Sequence, residues 1–157
     1  GQISPEVLDL LVTTRECLDL AIQQSVAGNR IGDIGYAVQQ HAEGNHHHGV
    51  IRGLVGHGIG KKLHEPPEVP NYGKRGKGPM LHEGLTIAIE PMINFGTREV
   101  VLKKDGWTLT TRDLKPSAHY EHTIAIQKSA ADVLSDHKVI DQAIKNNVNL
   151  SEVWIKR

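Results

Sequence analysis

Val7, Leu8, Leu11, Leu18 and Ile22 recur at the three- and four-residue intervals of an amphipathic helix. Ser4-Pro5-Glu6 supplies a hydroxyl cap, a proline at the first turn and an acid facing the helix dipole, and Gly28-Asn29 supplies the stop. One long helix is predicted. Ile31, Ile34 and Val38 continue the rhythm to about Glu43, where Gly44-Asn45 breaks it, so a second, shorter helix should follow. From Val50 the period changes. Short β-prone runs at Val50 to Val55, Leu85 to Ile89, Glu99 to Leu102, Trp107 to Thr111 and Tyr120 to Ile126 alternate with glycine- and proline-rich connections, which predicts a largely antiparallel sheet. The connection from Gly60 to Gly84 holds Pro66, Pro67, Pro70 and Pro79 and is too long for idle linkage, so it reads as a loop with a task. Ala130 to Lys145 can form a terminal helix, and a polar tail follows. The class is α/β (α+β), an antiparallel sheet with flanking helices.

At 157 residues and 38% apolar content the chain has material for one core. Its 18 basic and 18 acidic residues cancel, so no whole-chain field draws it to nucleic acid or an anionic membrane, and a small or peptide-like partner is expected. No apolar run approaches the roughly 18 residues that span a bilayer, and no basic-then-apolar leader opens the chain, so it reads as soluble and cytoplasmic. The single cysteine, Cys17, lies in the first helical pattern and reads as packing. Ten histidines and sixteen glycines, several of each crowded between residues 44 and 82, direct the search for chemistry.

Gly56-His57-Gly58-Ile59-Gly60 follows an apolar run, and glycines on both sides should leave the imidazole unshielded at a strand end. The alternative is a histidine in a flexible turn. His64 stands in Leu63-His64-Glu65-Pro66-Pro67, where two prolines stiffen the chain and suit a positioned donor or base, or simply hold a polar loop. Glu90 ends the β run Leu85 to Ile89 and is pinned by Pro91; a carboxylate there is costly unless paired or metal-bound. Glu121 opens another apolar strand under the same constraint. Two carboxylates and an imidazole suit Co, Mn, Fe or Zn, although each alone could be a structural ion pair.

In order, VGHGIG, LHEPPEVPNYG, LTIAIEPMIN, KKDGWT and YEHTIAI resemble the type I methionine aminopeptidases of peptidase family M24, over about Ile3 to Ile126. The resemblance implies the pita-bread (creatinase/aminopeptidase-like) fold. This chain would supply its C-terminal half, with residues 1–127 a partial catalytic domain and 128–157 a C-terminal helix and tail. The implied reaction is metal-dependent removal of the initiator methionine from nascent proteins and peptides. His57, Glu90 and Glu121 match metal ligands, with Glu121 bridging two ions. His64 matches the histidine that contacts the scissile peptide and stabilises the transition state. Trp107 and Leu63 match two walls of the methionine pocket, while without the resemblance Trp107 reads as a hairpin core aromatic.

The family also uses two aspartates, spaced Asp-x10-Asp, on a hairpin that precedes the stretch matching Gly1 to Pro5. No aspartate pair here lies on a strand pattern at that spacing, since Asp33 belongs to the second helix and Asp105 to a hairpin turn. The expectation is therefore an N-terminally truncated chain with an open sheet edge, holding at most one divalent ion and weakened in activity. His119 also departs, standing where the family usually has an amide or small polar residue. Two other readings compete: a non-catalytic pita-bread module that binds peptides or proteins, and a relative that cleaves at proline, which Trp107 and the VPNYG loop disfavour. Lys74-Arg75-Gly76-Lys77 reads as a solvated loop or, more boldly, as a contact with ribosomal RNA. His46-His47-His48, near His41, is expected to be an exposed turn with weak adventitious metal affinity.

Overall fold

A computed structural model describes residues 3–147 of the chain. Helix α1 spans Pro5–Gln24, with the Ser4 hydroxyl accepting from the Val7 N–H, and Gly28 closes the following turn at a φ of 95° that suits glycine. Helix α2 spans Ile31–Gln39 and passes into a π-helical turn over Gln40–Asn45, where unbroken helix was expected to about Glu43. The buried side of α1 is broader than its apolar periodicity suggested. Leu10, Thr13, Thr14, Cys17 and Ala21 join Leu8 and Leu18 inside, because α1 packs against both α2 and the sheet strands.

Ten short strands follow: β1 Gly49–Val50, β2 Gly56–Gly58, β3 Glu65–Val69, β4 Thr86–Ile89, β5 Met92–Asn94, β6 Val100–Leu102, β7 Leu109–Thr111, β8 Ser117–His119, β9 His122–Ala125 and β10 Asp132–Val133. All the pairings between them are antiparallel. They form sheets ordered β1-β5-β8 and β10-β9-β4-β2-β3, with β6-β7 as a separate hairpin. Several strands are shorter than the β-prone runs, and Val50 to Val55 is strand only at its start. The Gly60 to Gly84 connection contains β3, whose Pro66 and Pro67 lack N–H donors and are accommodated because β3 is an edge strand. Ile87, Ile89, Ile93, Ile124 and Ile126 are fully buried against Leu10, Leu18, Ile34 and Val38 of the helices. Each such side chain contributes about 1.5–3 kcal/mol through loss of water contact.

The terminal helix is shorter than Ala130 to Lys145. β10 pairs with β9 first, and α3 spans Lys138–Asn146. An ion pair of 2.6 Å between Arg15 and Asp141 ties α3 to α1. His122 stacks on His137 at 3.8 Å, and burial, reinforced by the charges of His137 and Arg15, holds its pKa below the usual imidazole value. The expected surface tail lies outside the described residues.

Cys17 is packing, as the helical pattern implied: it is fully buried, and burial pushes its thiol pKa up to about 12. Thiolate, the reactive form, is thus nearly absent from the folded protein. A disulfide-exchange reagent at about pH 8 should label Cys17 only at the rate of unfolding. Fast labelling of the native chain would contradict this packing.

Candidate metal centre

Glu90-Pro91 is the joint at which one extended segment leaves the five-stranded sheet, as β4, and enters the three-stranded sheet, as β5. Tyr120-Glu121 is the same joint between β8 and β9. The register pairs Met92 with His119 and Ile89 with His122, so the two joints lie side by side. β2 pairs with β4 through Gly58 and Ile87, which brings His57 to the same place. One donor atom from each of His57, Glu90 and Glu121 lies within 4.8 Å of the other two.

The tautomer of His57 follows from its neighbours. Its Nδ1 is 3.0 Å from the Gly58 carbonyl, which can only accept, so Nδ1 carries a proton, and in the neutral ring Nε2 offers a lone pair. That nitrogen lies 3.6 Å from Oε1 of Glu90. With the ring neutral, acceptor faces acceptor across the gap, and a cation between them satisfies both. The donor set, two carboxylates and an imidazole, therefore fits a divalent ion. The His57 and Glu90 side chains are each 14% exposed, whereas Glu121 stands open to solvent.

His57 does not sit at a strand end. It is the middle residue of β2, and its flanking glycines serve packing: a Cβ on Gly56 would run into the Ala88 carbonyl oxygen of β4, and one on Gly58 into the Pro66 carbonyl oxygen of β3. Gly58→Ala should therefore push β2 away from its neighbours and lower stability by about 1–3 kcal/mol, read as a drop in Tm. An unchanged Tm would show that β3 yields freely.

The His64 ring stands edge-on to His57 with centroids 4.2 Å apart, and it is exposed. Trp107 is 88% exposed and Leu63 67% exposed. Trp107 is accordingly no hairpin core aromatic; it lies between β6 and β7, where Asp105 accepts from its N–H and from that of Thr108. Asp33 is also committed elsewhere, accepting from the N–H groups of Arg30 and Gly76.

Two neighbours of Glu90 emerge only in the fold. His119, which departs from the resemblance, places Nε2 3.4 Å from Oε2 of Glu90. Asn71, buried, donates to the Glu90 carbonyl at 3.0 Å and so anchors the joint from the long loop. The loop had been read as having a task, but only the fold shows what Asn71 reaches. The expectation for His46-His47-His48 is corrected as well. Only His47 is exposed; His48 is 6% exposed and His46 half-buried, because the π-turn folds both against α1.

Helices packed on antiparallel sheets, with a carboxylate–imidazole cluster where the strands change sheets, define the class as a mixed α/β protein with a candidate metal centre. The family model of metallopeptidase family M24 matches residues 1–128, and the chain belongs to that family. It is 49% identical over 135 residues to methionine aminopeptidase A of Synechocystis, covering 86% of this chain and 53% of that protein. It is 44% identical over 135 residues to the methionine aminopeptidase of Clostridium acetobutylicum, covering 86% and 54%. Among solved structures, methionine aminopeptidase from Thermotoga maritima superposes with a TM-score of 0.83 at 44% identity, over 85% of this chain and 53% of that one. The enzyme from Rickettsia prowazekii gives 0.82 at 41%, over 85% and 54%. The fold is thus the pita-bread one, and the chain spans about half the length of the relatives it matches. An X-Pro aminopeptidase from Thermotoga maritima, at 19% identity and a TM-score of 0.63, shares the fold alone.

Proposed function

We propose that this chain serves metal-dependent removal of methionine from the N-terminus of peptides and nascent proteins, with His57, Glu90 and Glu121 holding a divalent ion (Co, Mn, Fe or Zn). The observation that carries the reading is the convergence of those three donors where the strands change sheets, with Nε2 of His57 facing Glu90 across a cation-sized gap. The names of the relatives support the substrate. Bound ions supply the Lewis acidity that hydrolysis of the first peptide bond needs. The chain's own groups do the rest. His64, exposed beside His57, donates to the oxygen on which charge develops as the carbonyl is attacked. Trp107 and Leu63 offer open apolar faces for the methionine side chain, and their exposure agrees with a role in meeting substrate. Asn71 anchors the Glu90 backbone through its carbonyl, and His119 lies 3.4 Å from the Glu90 carboxylate.

Among the described residues no helix is long and apolar enough to cross a membrane. Action in the cytoplasm at the ribosome is part of the proposal. Lys74, Arg75 and Lys77 are all exposed for such a contact, and the Arg75 guanidinium lies 4.6 Å over the Tyr36 ring.

The test is methionine release from a Met-Ala peptide with Mn or Co present. The 157-residue chain alone should release almost none, because His57, Glu90 and Glu121 hold an ion loosely without the family's two strand aspartates. Joined to a segment that carries that aspartate hairpin, it should release methionine in a metal-dependent way. A joined protein that binds metal and cleaves nothing would favour the peptide-binding module instead.

A further inference from the structure

In an α-helix, side chains five residues apart point about 140° away from each other. The wider π-turn, with its i→i+5 repeat, returns them to one face. His41 and His46 are five apart across the turn Gln40–Asn45, and their ring centroids lie 4.7 Å apart. One side of α1 faces them, where Asp9, Thr13 and Glu16 follow at helical spacing. Oε2 of Glu16 is 2.9 Å from Nε2 of His41, and Oγ1 of Thr13 is 3.1 Å from Nδ1 of His46. Oδ2 of Asp9 lies 3.7 Å from the same His46 nitrogen and 3.4 Å from Nε2 of His48. That His48 nitrogen is buried and makes no hydrogen bond, although its ring is aimed into the cluster. One donor atom from each of Glu16, His41 and His46 lies within 4.8 Å of the other two.

We infer that Glu16, His41 and His46 form a second divalent-cation site, selective for zinc or an ion of similar borderline character, which pins the π-turn to α1. Two imidazoles and a carboxylate are a borderline donor set, and water completes a tetrahedron around the ion. Oγ1 of Thr13 orients the His46 ring through Nδ1, with the Asp9 carboxylate behind it at 3.7 Å. The side chains of His41, His46 and Glu16 are 17%, 24% and 38% exposed, so an ion reaches them from solvent. Their elements are α1 and the π-turn, apart from the strand joints that carry His57, Glu90 and Glu121. The site therefore goes beyond the proposed reaction and does not depend on it.

The experiment is zinc titration of the full chain in competition with a chromophoric chelator, with Tm measured in parallel. A Glu121→Ala background removes the other centre. One zinc should bind there and raise Tm, as any ligand of the native state does. His41→Gln, His46→Gln and Glu16→Gln should each weaken zinc at least about tenfold and remove the rise in Tm. His47→Ala, at the exposed member of the run, should change neither. Circular dichroism checks that each variant is folded, and the three substitutions on two elements guard against one of them failing. Absence of zinc in the Glu121→Ala background would overturn the site. So would folded variants that keep their zinc, or a His47→Ala effect as large as that of His46→Gln, which would mark a loose histidine run.

Discussion

His64→Ala should lower kcat for methionine release by about two to three orders of magnitude while leaving metal affinity essentially unchanged, when measured in the chain joined to an aspartate-bearing segment. The ring of His64 lies against that of His57, yet His64 is not one of the three converging donors. Its loss should therefore remove a hydrogen bond that strengthens only as charge develops, without loosening the ion. Such a defect falls on kcat and kcat/KM alike, with little change in KM. His64→Gln, which keeps a donor, should recover part of the rate. An equal fall in metal affinity would place His64 among the ligands and sink the transition-state role.

His57, Glu90 and Glu121 were legible in the sequence because each is a local anomaly: a histidine between glycines, or a carboxylate at the end of an apolar run. The sheet joints that unite them were not. Glu90-Pro91 and Tyr120-Glu121 read as strand ends, and only the pairing of β5 with β8 and of β4 with β9 shows that both segments continue into a second sheet. The contacts of Asn71 and His119 with Glu90 are not legible, because what these residues reach is set by tertiary pairing, 19 residues away in the case of Asn71. β3 was missed for a different reason. Two prolines argue against a central strand, and the sequence alone does not announce an edge. The histidine run failed as a local reading too, since a glycine-flanked turn looks exposed until α1 is laid against it.

The glycines beside His57 serve the fold in a way their sequence does not suggest. Gly56 and Gly58 were read as opening space around an imidazole, yet they let β2 lie close between β3 and β4. The consequence for the centre is rigidity. β2 is paired on both sides and the His57 ring is held through Nδ1 on the Gly58 carbonyl, so its Nε2 is aimed before any ion arrives. A preorganised ligand loses less on binding than one carried by a flexible turn.

Glu121 is the most informative single residue, because it is the exposed member of the donor set and closes the cluster over the half-buried His57 and Glu90. Removing it leaves one imidazole and one carboxylate, too few protein donors for a specific divalent site. Calorimetric titration with Mn in a His41→Gln background, which silences the histidine cluster on α1, measures this centre alone. One Mn per chain at most is expected, with binding abolished by Glu121→Ala and the circular dichroism spectrum unchanged. Two equally tight ions, or binding that survives Glu121→Ala intact, would contradict that expectation.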